Sequence, residues 1–375
     1  MVLVHILKDG PSSMMEIAGV GSLPRDLIIE ILSRLPVKVL CKFRCVSKHW
    51  LGLISFDECF LSRHRQLSKS NPLLLYRSYS SGQTTEEKKH KVMVDLTSID
   101  MDGTCDNKIR APTGGPIYTF TSCGHLIFLR CMYRLYVCNP GTREFVSVPR
   151  ASLTDPYYTV GFGYLCGSNE YKIVHLFFQE SFVSDEGMAC EVFTLRDGEG
   201  VDSGSWKRVN DCPYKVWTDR LPVCVDGVIY WMVSEQSNSI VLFDMKTEEF
   251  GVISYPGWYS ELDSNSLFLV GLNGFVCLVY CLAAKSTMDI WMLKDCKNSI
   301  WVKGYSISLS ATEGSCEILG IVPCEEDDGE ILINTEQKGL VCYNINSKTF
   351  RSIENKERYK KPCLYHESFF SLHNH

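Results

Sequence analysis

LYVCNPGTREF, residues 135–145, returns twice further along the chain, as VLFDMKTEEF at 241–250 and VCYNINSKTF at 341–350. Each copy has an apolar strand, then Asn or Asp, then Thr or Ser three residues later, and finally Phe. Side chains of Asn, Asp, Thr and Ser bond to nearby backbone groups and so favour tight turns. The pattern therefore predicts a β-hairpin at each copy, with the Phe returning to the core.

The spacing of the three copies predicts the architecture. Asn139, Asp244 and Asn344 lie 105 and 100 residues apart. A propeller blade takes about 40–50 residues, so each interval accommodates two blades. The intervening segments share a signature of their own, an apolar strand followed by a tryptophan, Trp206 or Trp301.

We therefore predict a mainly β domain over residues 73–372, a propeller of about six blades. Five units lie between about 118 and 354, and a sixth would join strands 73–76 and 91–96 to the C-terminal segment 362–372. Tyr79–Lys91 and Asp100–Pro116 are predicted to be loops. A β-sandwich remains the alternative.

The N-terminal segment has a different residue pattern, which is typical of short helices. Residues 23–50 read LPRDLIIEILSRLPVKVLCKFRCVSKHW. Pro24 suits the first turn of a helix, and Pro36 ends that helix. A second helix is expected over Val37–Cys45, and Ser47 is expected to cap a third. The apolar arc of the first helix, Leu27, Ile28, Ile31, Leu32 and Leu35, spans roughly 140° and leaves Ile29 outside, which indicates either packing on the rest of the chain or a second protein partner.

Bulk properties exclude several function classes. The net charge of -6 argues against nucleic-acid binding. No apolar run reaches the roughly 18 residues of a membrane span. The 18 cysteines contain no C-x-x-C pair, so we expect reduced thiols in the cytoplasm, the nucleus or both, and no zinc site. We find no motif for a hydrolase nucleophile, a phosphate-binding loop or a metalloprotease, and expect no catalytic residue, metal or cofactor. Residues 1–20 are predicted to be a poorly ordered leader.

The N-terminal segment resembles an F-box. The matching residues are Leu23-Pro24, Ile31-Leu32-x-x-Leu35-Pro36 and Leu40-x-x-Phe43-Arg44-x-Val46-Ser47-Lys48-x-Trp50. The resemblance implies a small helical domain over 21–66 that binds a Skp-type adaptor and, through it, a cullin-RING ubiquitin ligase. The residues expected to dock the adaptor or hold the small domain together are Leu23, Pro24, Leu27, Ile31, Leu32, Leu35, Pro36, Leu40, Phe43, Val46 and Trp50.

The larger region resembles the plant-type F-box-associated domain, a kelch-like β-propeller. The matching residues are Cys123-Gly124-His125-Leu126, Asn139-Pro140-x-Thr142-Arg143-x-Phe145, Gly161-Phe162-Gly163-Tyr164, Asn169-x-Tyr171-Lys172-Ile173-Val174, Asp226-Gly227-x-x-Tyr230-Trp231 and Phe243-Asp244-x-x-Thr247-Glu248-x-Phe250. Cys123-Gly124-His125 departs from the family, which more often has Asn-Gly after Cys-Asp or Ser, and the copy near Asn346-Ser347 is weak. The paired glycines of ordinary kelch repeats are also missing.

Together the two resemblances imply a non-catalytic substrate-recognition subunit of an SCF-type ubiquitin ligase, whose propeller binds a target protein. Trp217, Trp258 and Tyr259 lie in loop-like stretches and are candidates for target binding, because exposed aromatic residues are frequent binding hot spots. Lectin-like binding of glycoproteins and, less favoured, an enzyme built on the propeller remain alternatives. The target and the propeller face that binds it are open.

Overall fold

The structure is a computed structural model. It describes residues 23–82, 91–101, 105–113, 115–131, 134–152, 158–178, 187–234, 238–256, 267–282, 287–309, 316–323, 329–336, 338–353 and 362–374. Trp258, Tyr259 and the leader 1–20 lie outside these ranges.

Four helices form the N-terminal domain: α1 Arg25–Leu32, α2 Val37–Phe43, α3 Lys48–Phe56 and α4 Glu58–Ser70. The two prolines stand immediately before α1 and α2, where the absence of a backbone N–H is tolerated. The Ser47 side chain accepts a hydrogen bond from the Trp50 N–H at 3.2 Å, as the sequence predicts for the cap of α3. Asp57 caps α4 in the same way through the Phe60 N–H, at 3.0 Å.

The described strands form six four-stranded antiparallel sheets, which we number as blades. Blade 1 contains β1 Leu73–Gly82, β2 Lys91–Ile99, β3 Cys105–Thr113 and the C-terminal β24 Cys363–Tyr365. Blade 2 contains β4 Ile117–Cys123, β5 Leu126–Cys131, β6 Leu135–Asn139 and β7 Glu144–Ser147. Blade 3 contains β8 Tyr158–Leu165, β9 Glu170–Phe177, β10 Ala189–Arg196 and β11 Lys207–Arg208, with a short 3₁₀ turn Val201–Ser203.

The other three blades follow in chain order. Blade 4 contains β12 Val223–Val225, β13 Val228–Met232, β14 Ser239–Asp244 and β15 Glu249–Ser254. Blade 5 contains β16 Leu267–Leu272, β17 Phe275–Leu282, β18 Thr287–Asp295 and β19 Ile300–Ser308. Blade 6 contains β20 Cys316–Val322, β21 Glu330–Thr335, β22 Gly339–Asn344 and β23 Phe350–Ser352.

The blades close into a ring. One strand of each blade, β4, β8, β12, β16, β20 or β24, contacts its counterparts in the two neighbouring blades. Because β24 pairs with β1, the two ends of the domain share blade 1. The predicted six-bladed propeller and its closure by the C-terminal segment are confirmed, and the β-sandwich alternative is wrong.

Hydrophobic burial explains why a ring is stable. The described core contains six clusters in the propeller, each shared between two neighbouring blades, and one further cluster in the helical domain. A blade is therefore buried on both faces, and strands such as β6 are buried at every position. No blade could bury its apolar faces alone, so each needs both neighbours.

One predicted loop is wrong. Most of Asp100–Pro116 was expected to be irregular, yet β3 occupies Cys105–Thr113 and pairs with β2 over almost its whole length. The sequence of β3 is mostly polar because the strand lies at the outer edge of blade 1, where only Ile109 and Ala111 among its described apolar side chains are buried in the core. The predicted loop Tyr79–Lys91 is shorter than expected at its start, since β1 continues to Gly82.

The three repeated hairpins share one turn geometry. Oδ1 of Asn139, Asp244 and Asn344 accepts a hydrogen bond from the N–H two residues later, at 3.0, 2.7 and 3.1 Å. The fifth residue of each turn has a positive φ, 65° at Arg143, 60° at Glu248 and 56° at Lys348. The Phe that ends each repeat then packs on an aromatic ring of the preceding strand. The predicted role of Asn139, Asp244 and Asn344 in the turns is confirmed, whereas the Thr142 hydroxyl has no hydrogen-bond partner among the described residues.

Candidate functional site

The helical domain exposes apolar side chains that its own core does not use. Phe56 is 76% exposed and Leu27 is 49% exposed, and Leu23, Val46 and Leu51 are also exposed. The Arg25 guanidinium pairs with the Asp57 carboxylate, which brings the start of α1 next to the end of α3. Exposed apolar side chains concentrated in so small a domain are typical of a protein-binding surface.

The structure divides the predicted adaptor-docking residues into three groups. Leu32 and Leu40 are buried in the helical core and are not available to a partner. Exposed residues are Leu23, Pro24, Leu27 and Val46, and half-buried residues are Ile31, Leu35, Pro36, Phe43 and Trp50. Ile29, which the wheel left outside the apolar arc, is buried, whereas Leu27 inside that arc is exposed.

Sequence reasoning missed two exposed apolar residues, Leu51 and Phe56. Both lie on α3, beyond the motif that ends at Trp50. A signal was present: Phe56 directly precedes Asp57, the cap of α4, and a side chain at such a corner between helices has few neighbours of its own chain. Together with Leu27 they extend the exposed apolar surface from α1 to α3.

The C-terminal segment 366–372 joins the helical domain to the propeller. The Val37 N–H donates to the Glu367 carboxylate at 3.0 Å, and the Ser68 hydroxyl donates to the Glu367 carbonyl at 2.9 Å. The Phe369 ring lies 4.4 Å from the Arg44 guanidinium carbon and 5.2 Å from the His64 ring. Residues of α2 and α4 therefore contact a single short segment of chain.

Blades 2 and 3 hold the other side of this segment. The buried Asn139 amide donates to the carbonyls of Ser368 and Phe370, at 3.1 and 2.7 Å. The Glu144 carboxylate accepts the Leu372 N–H at 2.7 Å, and Asp197 accepts the Ser371 N–H at 2.7 Å. The hairpin of the first repeat thus binds the tail, whereas the equivalent Asp244 lies at a more open turn.

Buried histidines line the same junction. Burial lowers the pKa of His64 to about 4, and burial together with the charge of His366 lowers the pKa of His125 to about 4. The His125 Nδ1 lies 3.3 Å from the His366 carbonyl oxygen. Both side chains are therefore neutral at neutral pH, which a tightly packed junction requires.

The helical domain covers one face of the ring. Strand β4 ends at Cys123, next to His125 and the tail, and begins at Ile117 about 20 Å away, since a strand rises about 3.3 Å per residue. We call the face at Ile117 the open face. A channel of about 840 Å³ is lined by the ring of innermost strands, and Trp217 and residues 219–222 contribute to its lining next to the start of β12.

Trp217 lines this channel, and the Arg220 guanidinium lies 4.8 Å above its ring. Trp217 is a predicted target-binding residue, and the structure places it in the lining of the channel. Trp258 and Tyr259, the other two candidates, lie outside the described residues. Trp231, interpreted as core, is buried.

One buried cluster combines residue types that are common in catalysis. The His175 Nδ1 lies 2.9 Å from the Glu191 carboxylate, and both the N–H and the hydroxyl of Ser152 donate to that carboxylate. The hydroxyl is bonded to the acid and not to the imidazole, so this is not a nucleophile–base pair. Instead, these hydrogen bonds satisfy buried polar groups of blade 3 and of the segment that connects it to blade 2.

The described residues contain no group of three or more His, Cys, Asp or Glu that could hold a metal ion. Among them, no helix is long and apolar enough to cross a membrane.

Comparisons with known proteins agree with this architecture. Residues 66–375 match the F-box associated beta propeller domain, and residues 21–61 match the F-box domain. The chain is 25% identical to F-box protein CPR1 of Arabidopsis thaliana, over 90% of this chain and 85% of that protein.

Two further Arabidopsis thaliana proteins show the same relationship. F-box protein At5g49610 is 27% identical, over 88% of this chain and 90% of that protein. F-box protein At5g18160 is 29% identical, over 75% of this chain and 69% of that protein. With a helical domain that matches the F-box and a propeller that matches the associated domain over most of its length, the chain belongs to the family of F-box proteins with an F-box associated β-propeller domain.

Proposed function

We propose that this protein is a non-catalytic substrate-recognition subunit of an SCF-type ubiquitin ligase. Its F-box docks a Skp-type adaptor through the exposed apolar side chains of α1 and α3, and its propeller binds a target protein on the open face. The observation that carries the proposal is the exposure of Leu27 and Phe56 in a helical domain whose own core is already complete. The sequence pattern of the 18 cysteines, which contains no C-x-x-C pair, supports a reducing compartment, the cytoplasm or the nucleus.

The arrangement of the two surfaces explains how such a subunit would work. The helical domain contacts the tail, which the first-repeat hairpin also binds, on one side of the ring, and Trp217 lines the channel near the other side. An adaptor and a target could therefore bind at the same time. Holding a target lysine near a charged ubiquitin-conjugating enzyme makes transfer nearly intramolecular, which raises the effective concentration of the reacting groups.

Serine substitutions at Leu27 and Phe56 test the adaptor surface. Both side chains are exposed, so the variant should keep the stability of the wild type. Losing a well-buried anchor from an interface costs about 2 kcal/mol or more, so adaptor affinity should fall at least roughly thirtyfold. The measurement is the dissociation constant for a purified Skp-type adaptor, by calorimetry or surface plasmon resonance.

Blade 5 offers a matched control. Ile300 and Val302 are exposed to 48% and 47%, close to the 49% of Leu27, and lie on the outer strand β19. Serine at these two positions should leave adaptor affinity unchanged. Adaptor binding that is equally strong in both double variants would show that docking does not use the exposed apolar surface of α1 and α3.

A further inference from the structure

A second cavity, of about 150 Å³, lies on the open face beside the channel. Three arginines from distant parts of the chain line it: Arg77 of β1, Arg130 of β5 and Arg220 before β12. Thr119, Thr159 and Thr218 also contribute to its lining. We call this cavity the arginine pocket.

Backbone carbonyls hold each guanidinium in place. The Arg77 Nη1 donates to the Ile117 carbonyl at 3.2 Å, and the Arg130 Nη1 donates to the Tyr158 carbonyl at 2.8 Å. The Arg220 Nη1 donates to the Leu267 carbonyl at 2.9 Å. Each guanidinium also lies over an aromatic ring, at 5.5, 4.9 and 4.8 Å from the ring centre. The guanidinium groups are therefore preorganised, and ligand binding would cost little side-chain conformational entropy.

Two of the three arginines, Arg77 and Arg130, have no carboxylate partner among the described residues. Both are half-buried. The Arg130 Nε is buried and has no hydrogen-bond partner there. Asp219 is the one acidic residue among the residues that line this cavity, in a chain whose net charge is -6. Desolvated positive charge without a partner is costly, and a bound anion would offset that cost.

We propose that the arginine pocket binds the phosphate of a phosphorylated serine or threonine in the target protein. A phosphate group carries a charge of about -1.5 to -2 and three acceptor oxygens, which suits three guanidinium forks flanked by hydroxyl groups. A carboxylate has one charge and two oxygens and would leave donors unpaired. The proposal rests on the proposed function, because it names the chemistry by which the open face recognises its target.

A degenerate peptide library tests the proposal. The full chain is purified with its Skp-type adaptor, immobilised, and exposed to three libraries that differ at the central residue: phosphoserine and phosphothreonine, their unmodified forms, or glutamate. We expect the phosphorylated library to be retained at least about tenfold better than either other library, since a hydrogen bond to a charged group contributes about 1.5–3 kcal/mol.

Single variants locate the binding. Arg130→Gln and Arg77→Gln should each lower retention of the phosphorylated library about tenfold or more. Arg130→Lys keeps the charge but loses the guanidinium fork, so its retention of that library should lie between those of the wild type and Arg130→Gln. Arg150→Gln is the matched control, because Arg150 is exposed and lines neither cavity. Thermal unfolding of each variant verifies folding, and two arginines in different blades ensure that one unstable variant does not decide the result.

Three results would overturn the proposal: equal retention of phosphorylated and unmodified libraries, equal retention of the glutamate library, or equal losses in Arg130→Gln and Arg150→Gln. The adaptor that co-purifies with each preparation is measured separately. Adaptor binding without phosphate selectivity would refute the arginine pocket alone. Phosphate selectivity without adaptor binding would refute the ligase role and leave the pocket standing.

Discussion

Phe369 should control how firmly the F-box is held on the propeller. Its half-buried ring contacts Arg44 of the helical domain and lies 6.1 Å from the Phe60 ring and 5.2 Å from the His64 ring, while the residues on either side are bound by Asn139. Replacing it by Ala removes the side chain that links the two domains. The tail itself should stay in place, because backbone carbonyls make the hydrogen bonds to Asn139.

The size of the effect follows from burial. Truncating a fully buried Phe costs about 3–5 kcal/mol, and half-burial reduces this to roughly 2 kcal/mol. The lost contact with the Arg44 guanidinium adds about 1 kcal/mol. We therefore expect the free energy of local opening of the F-box to fall by about 2–3 kcal/mol. In amide hydrogen exchange this would speed exchange in α2 and α4 by roughly 30- to 150-fold, since 1.4 kcal/mol is a factor of ten.

Phe275 of blade 5 provides the control. Its ring carries the same kind of contact, with the Lys294 ammonium 3.7 Å from its centre, and it is also partly buried. Phe275→Ala should speed exchange in blade 5 and leave the helices unchanged, whereas Phe369→Ala should do the reverse. Two results for Phe369→Ala would refute the role of the tail as the link between the domains. One is amide exchange that speeds up equally in the helices and the blades, and the other is unchanged amide exchange in the helices.

Two further outcomes follow from the same contacts. Asn139→Ala should destabilise the protein by at least about 2 kcal/mol more than Asp244→Ala. The reason is that Asn139 is buried and donates to two tail carbonyls, whereas Asp244 accepts two N–H groups at an exposed turn. Denaturant unfolding measures the stability of both variants, and equal losses of stability would contradict this expectation. Stability should also fall as pH decreases from 6.5 towards 4, because the unfolded chain protonates His64 and His125 there and the folded protein, with both pKa values near 4, does not. The loss is about 3 kcal/mol for each residue, and His64→Gln should remove one share of it; an unchanged pH profile in that variant would count against burial of a neutral His64.

Local chemistry explains why much of the propeller was predictable. The turns at Asn139, Asp244 and Asn344 form within four residues, so their signature survives in any tertiary context. Blade spacing then follows from counting turns, and closure by β24 follows because a ring leaves no unpaired edge at its seam. The edge strand β3 was not predicted because most of its residues are polar and its sequence resembles a loop, although Ile109 and Ala111 are buried in the core.

The candidate sites were less predictable, because they depend on which surfaces meet. The sequence by itself determined that the first helix has more apolar surface than one core needs, and that the segment resembles an F-box. Only the tertiary structure decided that Ile29 faces the core while Leu27 and Phe56 face outward, since the helical wheel does not record where α4 packs.

The same holds for the arginine pocket and the tail. Arg77, Arg130 and Arg220 follow no sequence period, and each belongs to a different part of the chain. They converge because the ring brings β1, β5 and the segment before β12 to one cavity beside the channel. The tail became the link between domains because β24 must end on the face that the F-box covers, and that constraint exists only once the whole ring has formed.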